Sequence, residues 1–168
     1  MADITHGAWI KDGKAVDKVF SDGRQVYGRN LFRGYPTNSK MRVNINNTYY
    51  YDYPFKYYGT RILLKPNTEY TVTWNYAIIS GDMDSTELIS VGYGNEQKDY
   101  AIDVKTIAVS AKKITIQTPA DVSNYPYFAL RFSRTIVPTT SVIDYWDITI
   151  REGDTSFDWS PAPEDILK

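Results

Sequence analysis

The sequence predicts an all-β protein: an antiparallel β-sandwich of the jelly-roll kind, preceded by a small N-terminal β-hairpin connector. Three observations carry that expectation. Eight or more short segments alternate apolar and polar residues with a period of two, the signature of strands with one buried face. They are regularly spaced, separated by Gly, Pro, Asn and Asp, and none is replaced by an amphipathic helix. Aromatic residues make up 15% of the chain, with 15 Tyr, 6 Phe and 4 Trp, and large rings suit pleated, half-buried surfaces. The 168 residues suffice for one domain of ordinary size and a small appendage. The expected division is a connector at 1–28, the sandwich at 29–165 and a tail at 166–168.

The connector reads as two hairpin-like units. Residues 8–16 turn at Asp12-Gly13, and residues 18–27 turn at Asp22-Gly23. Asp-Gly between β-type residues favours a tight turn, because both central positions tolerate positive φ. Such a ribbon is too small to hold a core of its own. In the sandwich, residues 40–46 alternate, with Met41, Val43 and Ile45 on one side. Residues 60–64 form a short apolar strand before the Pro66-Asn67 turn. Residues 68–79 give the clearest alternation: Tyr70, Val72, Trp74, Tyr76 and Ile78 against Thr71, Thr73, Asn75 and Ala77. Strands follow at 87–93, 100–109 and 113–118. At 127–135, Phe128, Leu130 and Phe132 face one way and Ala129, Arg131 and Ser133 the other. The last strand places Val142, Asp144, Trp146, Ile148 and Ile150 on one face, with Ile143, Tyr145, Asp147 and Thr149 opposite. Glu152-Gly153-Asp154 breaks it, and Pro161 and Pro163 keep the exit extended.

Composition removes several functions. The net charge of −1 and the lack of a long basic run argue against a dedicated nucleic-acid binder. No apolar run approaches the roughly 20 residues that span a bilayer, so no membrane insertion is expected. Met1 to His6 lacks a basic region followed by an apolar stretch, so no secretory signal is expected. Cysteine is absent, which removes disulfides and thiolate metal sites. The single histidine, His6, lies in the connector, and no nucleophile elbow, His-Glu-x-x-His or phosphate loop occurs. Asp82 and Asp84 sit in a Gly-Asp-Met-Asp-Ser loop, which is ordinary turn chemistry. The expectation is a protein that is not an enzyme.

Two regions suit ligand binding. The tract Tyr49-Tyr-Tyr-Asp-Tyr-Pro-Phe-Lys-Tyr-Tyr58 holds six of the fifteen tyrosines, and Pro54 bars a central strand through it. Tyr50, Tyr51, Tyr53, Tyr57 and Tyr58 offer stacking faces and hydroxyls, which match the apolar C–H faces and hydroxyl rims of sugars. The other reading is that these rings cover one end of the sandwich. The second region is the outward face of the strands at 68–79 and 127–135. If those strands are neighbours, Asn75 and Arg131 line one groove that could hold a polysaccharide, with Arg131 offering five fixed donors. The other reading is an ordinary solvated face.

The run from Trp146 to Asp165, Trp-Asp-Ile-Thr-Ile-Arg-Glu-Gly-Asp-Thr-Ser-Phe-Asp-Trp-Ser-Pro-Ala-Pro-Glu-Asp, resembles the closing segment of carbohydrate-binding-module-like β-sandwiches in tail proteins of phages that infect Gram-positive bacteria. The run Tyr27-Gly-Arg-Asn-Leu31 resembles the opening of the same domains, so the likeness spans about residues 11 to 165, with the middle matching in strand pattern more than in residues. The resemblance implies a non-catalytic carbohydrate-binding module of a tail or baseplate (receptor-binding) protein that recognises host cell-wall or capsular polysaccharide during adsorption. The alternative it leaves open is a purely structural spacer or assembly module of the tail, in contact with other phage tail proteins. Location in the virion after synthesis in the bacterial cytoplasm follows, and the lack of cysteine fits it. No cofactor is required. Related jelly-roll modules carry a structural Ca²⁺, for which Asp144, Asp147 and the amide oxygen of Asn30 are the candidates. The competing reading of Asp144 is a residue that caps a bulge or bonds backbone.

Overall fold

The computed structural model describes residues 3–5, 8–12, 14–21, 24–33, 40–45, 50–53, 55, 61–80, 87–134, 141–153, 160, 162 and 163. Within these residues the protein is all-β with antiparallel sheets. The N-terminal strands are β1 (Asp3–Thr5), β2 (Ala8–Lys11), β3 (Lys14–Ala15), β4 (Lys18–Ser21) and β5 (Arg24–Gly28). The larger body is built from β6 (Met41–Ile45), β7 (Tyr50–Asp52), β8 (Glu69–Ser80), β9 (Glu87–Gly94), β10 (Ile102–Ala108), β11 (Lys113–Gln117), β12 (Tyr127–Arg134) and β13 (Ser141–Glu152). No helix among the described residues is long and apolar enough to cross a membrane.

The eight later strands form two four-stranded sheets, in the orders β11-β8-β13-β6 and β10-β9-β12-β7. Alternation decides what lies between them. Tyr70, Val72 and Trp74 on β8 are buried against the inward residues Phe128, Leu130 and Phe132 of β12, as the sequence pattern predicts. Rings meet across the gap: Phe132 and Tyr145 lie 4.5 Å apart, and Tyr70 and Phe128 5.9 Å. Trp74 has a polar handle as well, and its indole N–H donates to the carbonyl of Val109 at 2.9 Å. That carbonyl belongs to a short 3-10 turn, Val109–Ala111, between β10 and β11.

The last strand departs from strict alternation. Ile143 and Tyr145 are inward, yet so are Ile148 and Ile150. The pairing explains the switch. Trp146 opposes Asn75 and Thr149 opposes Thr73, so β13 carries one extra residue there. Asp147 takes a φ of 54°, the left-handed conformation that Asp tolerates better than most residues. A bulge of this kind reverses which parity faces the core. The single face expected for Val142, Asp144, Trp146, Ile148 and Ile150 is therefore split, and Asp144 turns outward.

Residues 61–65 also differ from the expected strand. They touch β12 through one isolated bridge, Leu63 to Tyr127, flanked by bonds from Phe128 N to Ile62 O and from Leu64 N to Pro126 O. Pro66 ends the stretch before a ladder can grow.

At the N-terminus β1, β2 and β3 pair antiparallel, as do β4 and β5. Asp12 turns the first unit at a φ of 52°. The Asp22-Gly23 pair lies outside the described residues. The ribbon meets the larger body through Lys18 and Glu152, 3.6 Å apart, and through Asp17, whose backbone and carboxylate both accept from Arg29.

Asn30 fastens the beginning of the body to its end. Its amide nitrogen donates to the carbonyls of Ile148 at 3.3 Å and Ser160 at 2.9 Å. Its amide oxygen accepts from the backbone of Phe32 and Ile150, each at 3.0 Å. Arg151, buried on the outward side of β13, donates to the Ser160 hydroxyl at 3.1 Å. The opening and closing motifs of the sequence thus meet at one point.

Candidate functional site

The outer face of the β10-β9-β12-β7 sheet carries the candidate site. Register places Asp52 beside Arg131, Arg131 beside Ser90, and Ser90 beside Thr106, one polar row across all four strands. Arg131 donates from Nε to Asp52 Oδ1 at 2.5 Å and from Nη2 to Oδ2 at 2.9 Å, a two-pronged, charge-assisted contact. The side chains are 24% and 28% exposed, so the pair is held at the surface, not sealed inside. Asp52 holds the guanidinium pKa above its ordinary value. The contact leaves the two Nη1 donors for other use.

Aromatic rings flank the guanidinium. Its central carbon lies 3.9 Å from the ring centroid of Tyr50 and 4.0 Å from that of Tyr100. Cation–π contact of this kind fixes a flat donor group against rotation. Tyr50 is half exposed and offers ring surface to solvent. Tyr100 is buried, and it lies over the sheet because Gly92 has no side chain. A Cβ at position 92 would strike the Tyr100 ring and the carbonyl of Ile102. The Tyr100 hydroxyl sits beside Ser90 and Asp103 without closing a well-formed hydrogen bond, and burial pushes its pKa up. Ser90 and Thr106 share a hydrogen bond of 2.7 Å, and Thr106 donates to the Asp103 carboxylate at 3.1 and 3.2 Å. A ring, an oriented ion pair and a row of hydroxyls form a shallow plate. It can stack on one face of a small polar molecule and hydrogen-bond along its rim.

The structure divides the residues nominated from sequence. Tyr50 and Arg131 meet on this plate. Tyr51 points inward and packs near Phe132, with centroids 6.4 Å apart. Tyr53 is buried, 4.6 Å from Phe55 and 5.1 Å from Phe32. Tyr53 belongs to the core cluster and Tyr51 packs against it, so neither ring lies on the plate. Tyr57 and Tyr58 lie outside the described residues. Asn75 stands on β8, in the other sheet, so it and Arg131 do not line one groove. The condition of adjacent strands is not met.

The three candidate calcium ligands are engaged separately. The Asn30 oxygen is taken by two backbone N–H groups. Asp144 accepts from Arg42 at 2.7 and 2.9 Å, which holds its carboxyl below the usual range. Asp147 accepts from Asn75 at 3.1 Å. Among the described residues no three His, Cys, Asp or Glu side chains group as metal ligands.

Sequence reasoning missed Asp52, Tyr100, Ser90, Thr106 and Gly92. Two signals were present. Asp52 follows Tyr50 at the strand period of two, so it shares that face. A glycine inside a strand, as at 92, marks the close approach of another group. No protein-family model matches this sequence, and no curated protein matches it.

Proposed function

We propose that the protein is a non-catalytic carbohydrate-binding module of a phage tail or baseplate protein, recognising host cell-wall or capsular polysaccharide during adsorption. The observation that carries this reading is the plate around Arg131. Tyr50 supplies an exposed ring, Asp52 fixes the guanidinium, and Ser90, Thr106 and Asp103 supply hydroxyl and carboxylate groups along the same face. The jelly-roll reading is supported by the strand orders, in which each sheet alternates early and late strands, so that β6 lies beside β13 and β7 beside β12. The paired N-terminal strands suit a connector to the rest of a tail protein. A shallow plate binds weakly, and many copies on one virion would raise avidity without new contacts.

The test is binding of the purified protein to Gram-positive cells and to polysaccharide extracted from their walls. Saturable binding that falls on Arg131→Ala or Tyr50→Ala supports the reading. No binding to cells on which the parent phage adsorbs normally defeats it. A second reading is a structural spacer or assembly module, favoured by one observation: Phe20 on β4 is 61% exposed in a ribbon poised to add to a neighbour. Tail assembly lost on Phe20→Ser, with glycan binding absent, would select it.

A further inference from the structure

We propose that Lys105 and Tyr93 guard the edge of β11: they occupy its outward carbonyls and keep a second copy of this chain from adding a strand there. The inference does not depend on the Arg131 plate.

Among the described residues β11 stands at one end of its sheet, with β8 as its neighbour. Its register decides which backbone groups that pairing uses. Bonds from Thr118 N to Thr68 O and from Trp74 N to Lys112 O bracket the ladder. Between them Lys113, Thr115 and Gln117 stand opposite Thr73, Thr71 and Glu69. An antiparallel ladder alternates bonded and non-bonded pairs, so residues 112, 114, 116 and 118 are the bonded set. The backbone N–H and C=O groups of Lys113, Thr115 and Gln117 therefore point away from β8, toward the edge. Such an edge is a template for another strand.

Side chains of the facing sheet reach that template. The Lys105 ammonium, on β10, donates to the Thr115 carbonyl at 3.0 Å. The Tyr93 hydroxyl, on β9, donates to the Gln117 carbonyl at 3.4 Å. Tyr93 is buried, so packing holds its hydroxyl in place. A strand arriving at β11 needs both carbonyls and has to displace both donors. Lys105 also sets a charge in its path, a common defence of sheet edges. The neighbouring edge, β10, has a defence of its own. Its pairing with β9 slips at Val104, and a bulge there bends the strand out of a flat ladder.

The partner kept out is another copy of this chain, because β11 is complementary to itself. Antiparallel pairing about Thr115 sets Thr115 against Thr115 and Lys113 against Gln117. All three outward residues then meet bonding partners, and no Lys opposes a Lys. Ile114 and Ile116 remain on the buried face in both copies.

The test is sedimentation of the parent, of Lys105→Met and of the double variant Lys105→Met/Tyr93→Phe across a dilution series. Lys105 is exposed, and Met keeps its stem. Phe keeps the ring of Tyr93. The double variant should gain a concentration-dependent dimer that the parent lacks, doubling its mass, and Lys105→Met alone a weaker one. Amide exchange at residues 113, 115 and 117 should slow as the dimer forms. Adding Thr115→Pro removes an outward N–H that the new ladder needs and spares the ladder to β8, so the parent's mass should return. An unchanged mass in both variants overturns the inference, and so does a dimer that survives Thr115→Pro.

Discussion

The two sheets share a core but present different outer faces. On the β11-β8-β13 side the outward hydroxyls close on one another. Thr71 and Thr115 lie 3.1 Å apart, Thr73 and Thr149 2.6 Å, and Thr71 also donates to the carbonyl of Gly153. Arg151 is buried on that side and donates to the Ser160 hydroxyl. On the other sheet Ser90, Thr106 and Asp103 also bond one another, but the same row keeps an ion pair at the surface, a half-exposed ring and Arg131 donors not used by Asp52. The difference teaches that outward polarity alone does not mark a binding face. A face whose polar groups satisfy one another adds stability, and one that leaves oriented donors beside a half-exposed ring is the better candidate for binding.

The strongest way to break the comparison is to remove the shared support. Trp74→Ala deletes a buried ring and its indole bond, and should cost about 3–5 kcal/mol in denaturant unfolding, taking both faces with it. Selective loss of glycan binding at normal stability would show that the face assignment is reversed. High pH separates core from plate less drastically. Burial holds the phenols of Tyr145, between the sheets, and Tyr100, on the plate, above the ordinary value near 10. Below about pH 10 both are neutral folded or unfolded. Above it the unfolded chain ionises first, so stability falls by up to about 1.4 kcal/mol per pH unit for each phenol. Melting temperatures between pH 9 and 11.5 should drop, less steeply in Tyr145→Phe than in the parent. An equal slope would remove Tyr145 from the account.

Gly92→Val sharpens the comparison from the other side. The added side chain meets Tyr100 and the Ile102 carbonyl, at a cost of about 1–3 kcal/mol, and the displaced ring no longer stacks on Arg131. Glycan binding should fall further than stability does. Thermal melting with a cell-binding assay decides this, and a variant that binds normally would detach Tyr100 from the site. Arg131→Ala is the gentlest of the four on the fold. A partly exposed pair and its ring contacts are worth about 1 kcal/mol in stability, whereas polysaccharide binding should drop at least about tenfold. A double-mutant cycle with Asp52→Ala checks the pair itself.

The sequence made the inward faces of β8 and β12 legible, because both strands keep a strict period of two over buried rings. It concealed the switch in β13, since an aspartate at 147 gives no sign that it will adopt positive φ and reverse the parity beyond it. The plate was half legible. Arg131 was readable as outward, and Tyr50 as a ring in a Pro-interrupted tract. Their meeting with Asp52 and Tyr100 was not, because it depends on which strands are neighbours, and alternation is silent about neighbours. The same silence placed Asn75 beside Arg131 when the two occupy different sheets.

The Asn30 lock has a mechanical consequence. Residues 30 and 160 lie 130 positions apart in the chain, and one side-chain amide joins them, reaching the carbonyls of Ser160 and Ile148. That amide also accepts from the N–H of Ile150, so a single side chain ties residues 30 and 160 to β13, at the centre of one sheet. Asn30→Ala would undo this joint at all three places at once, and the two ends of the body would come apart together.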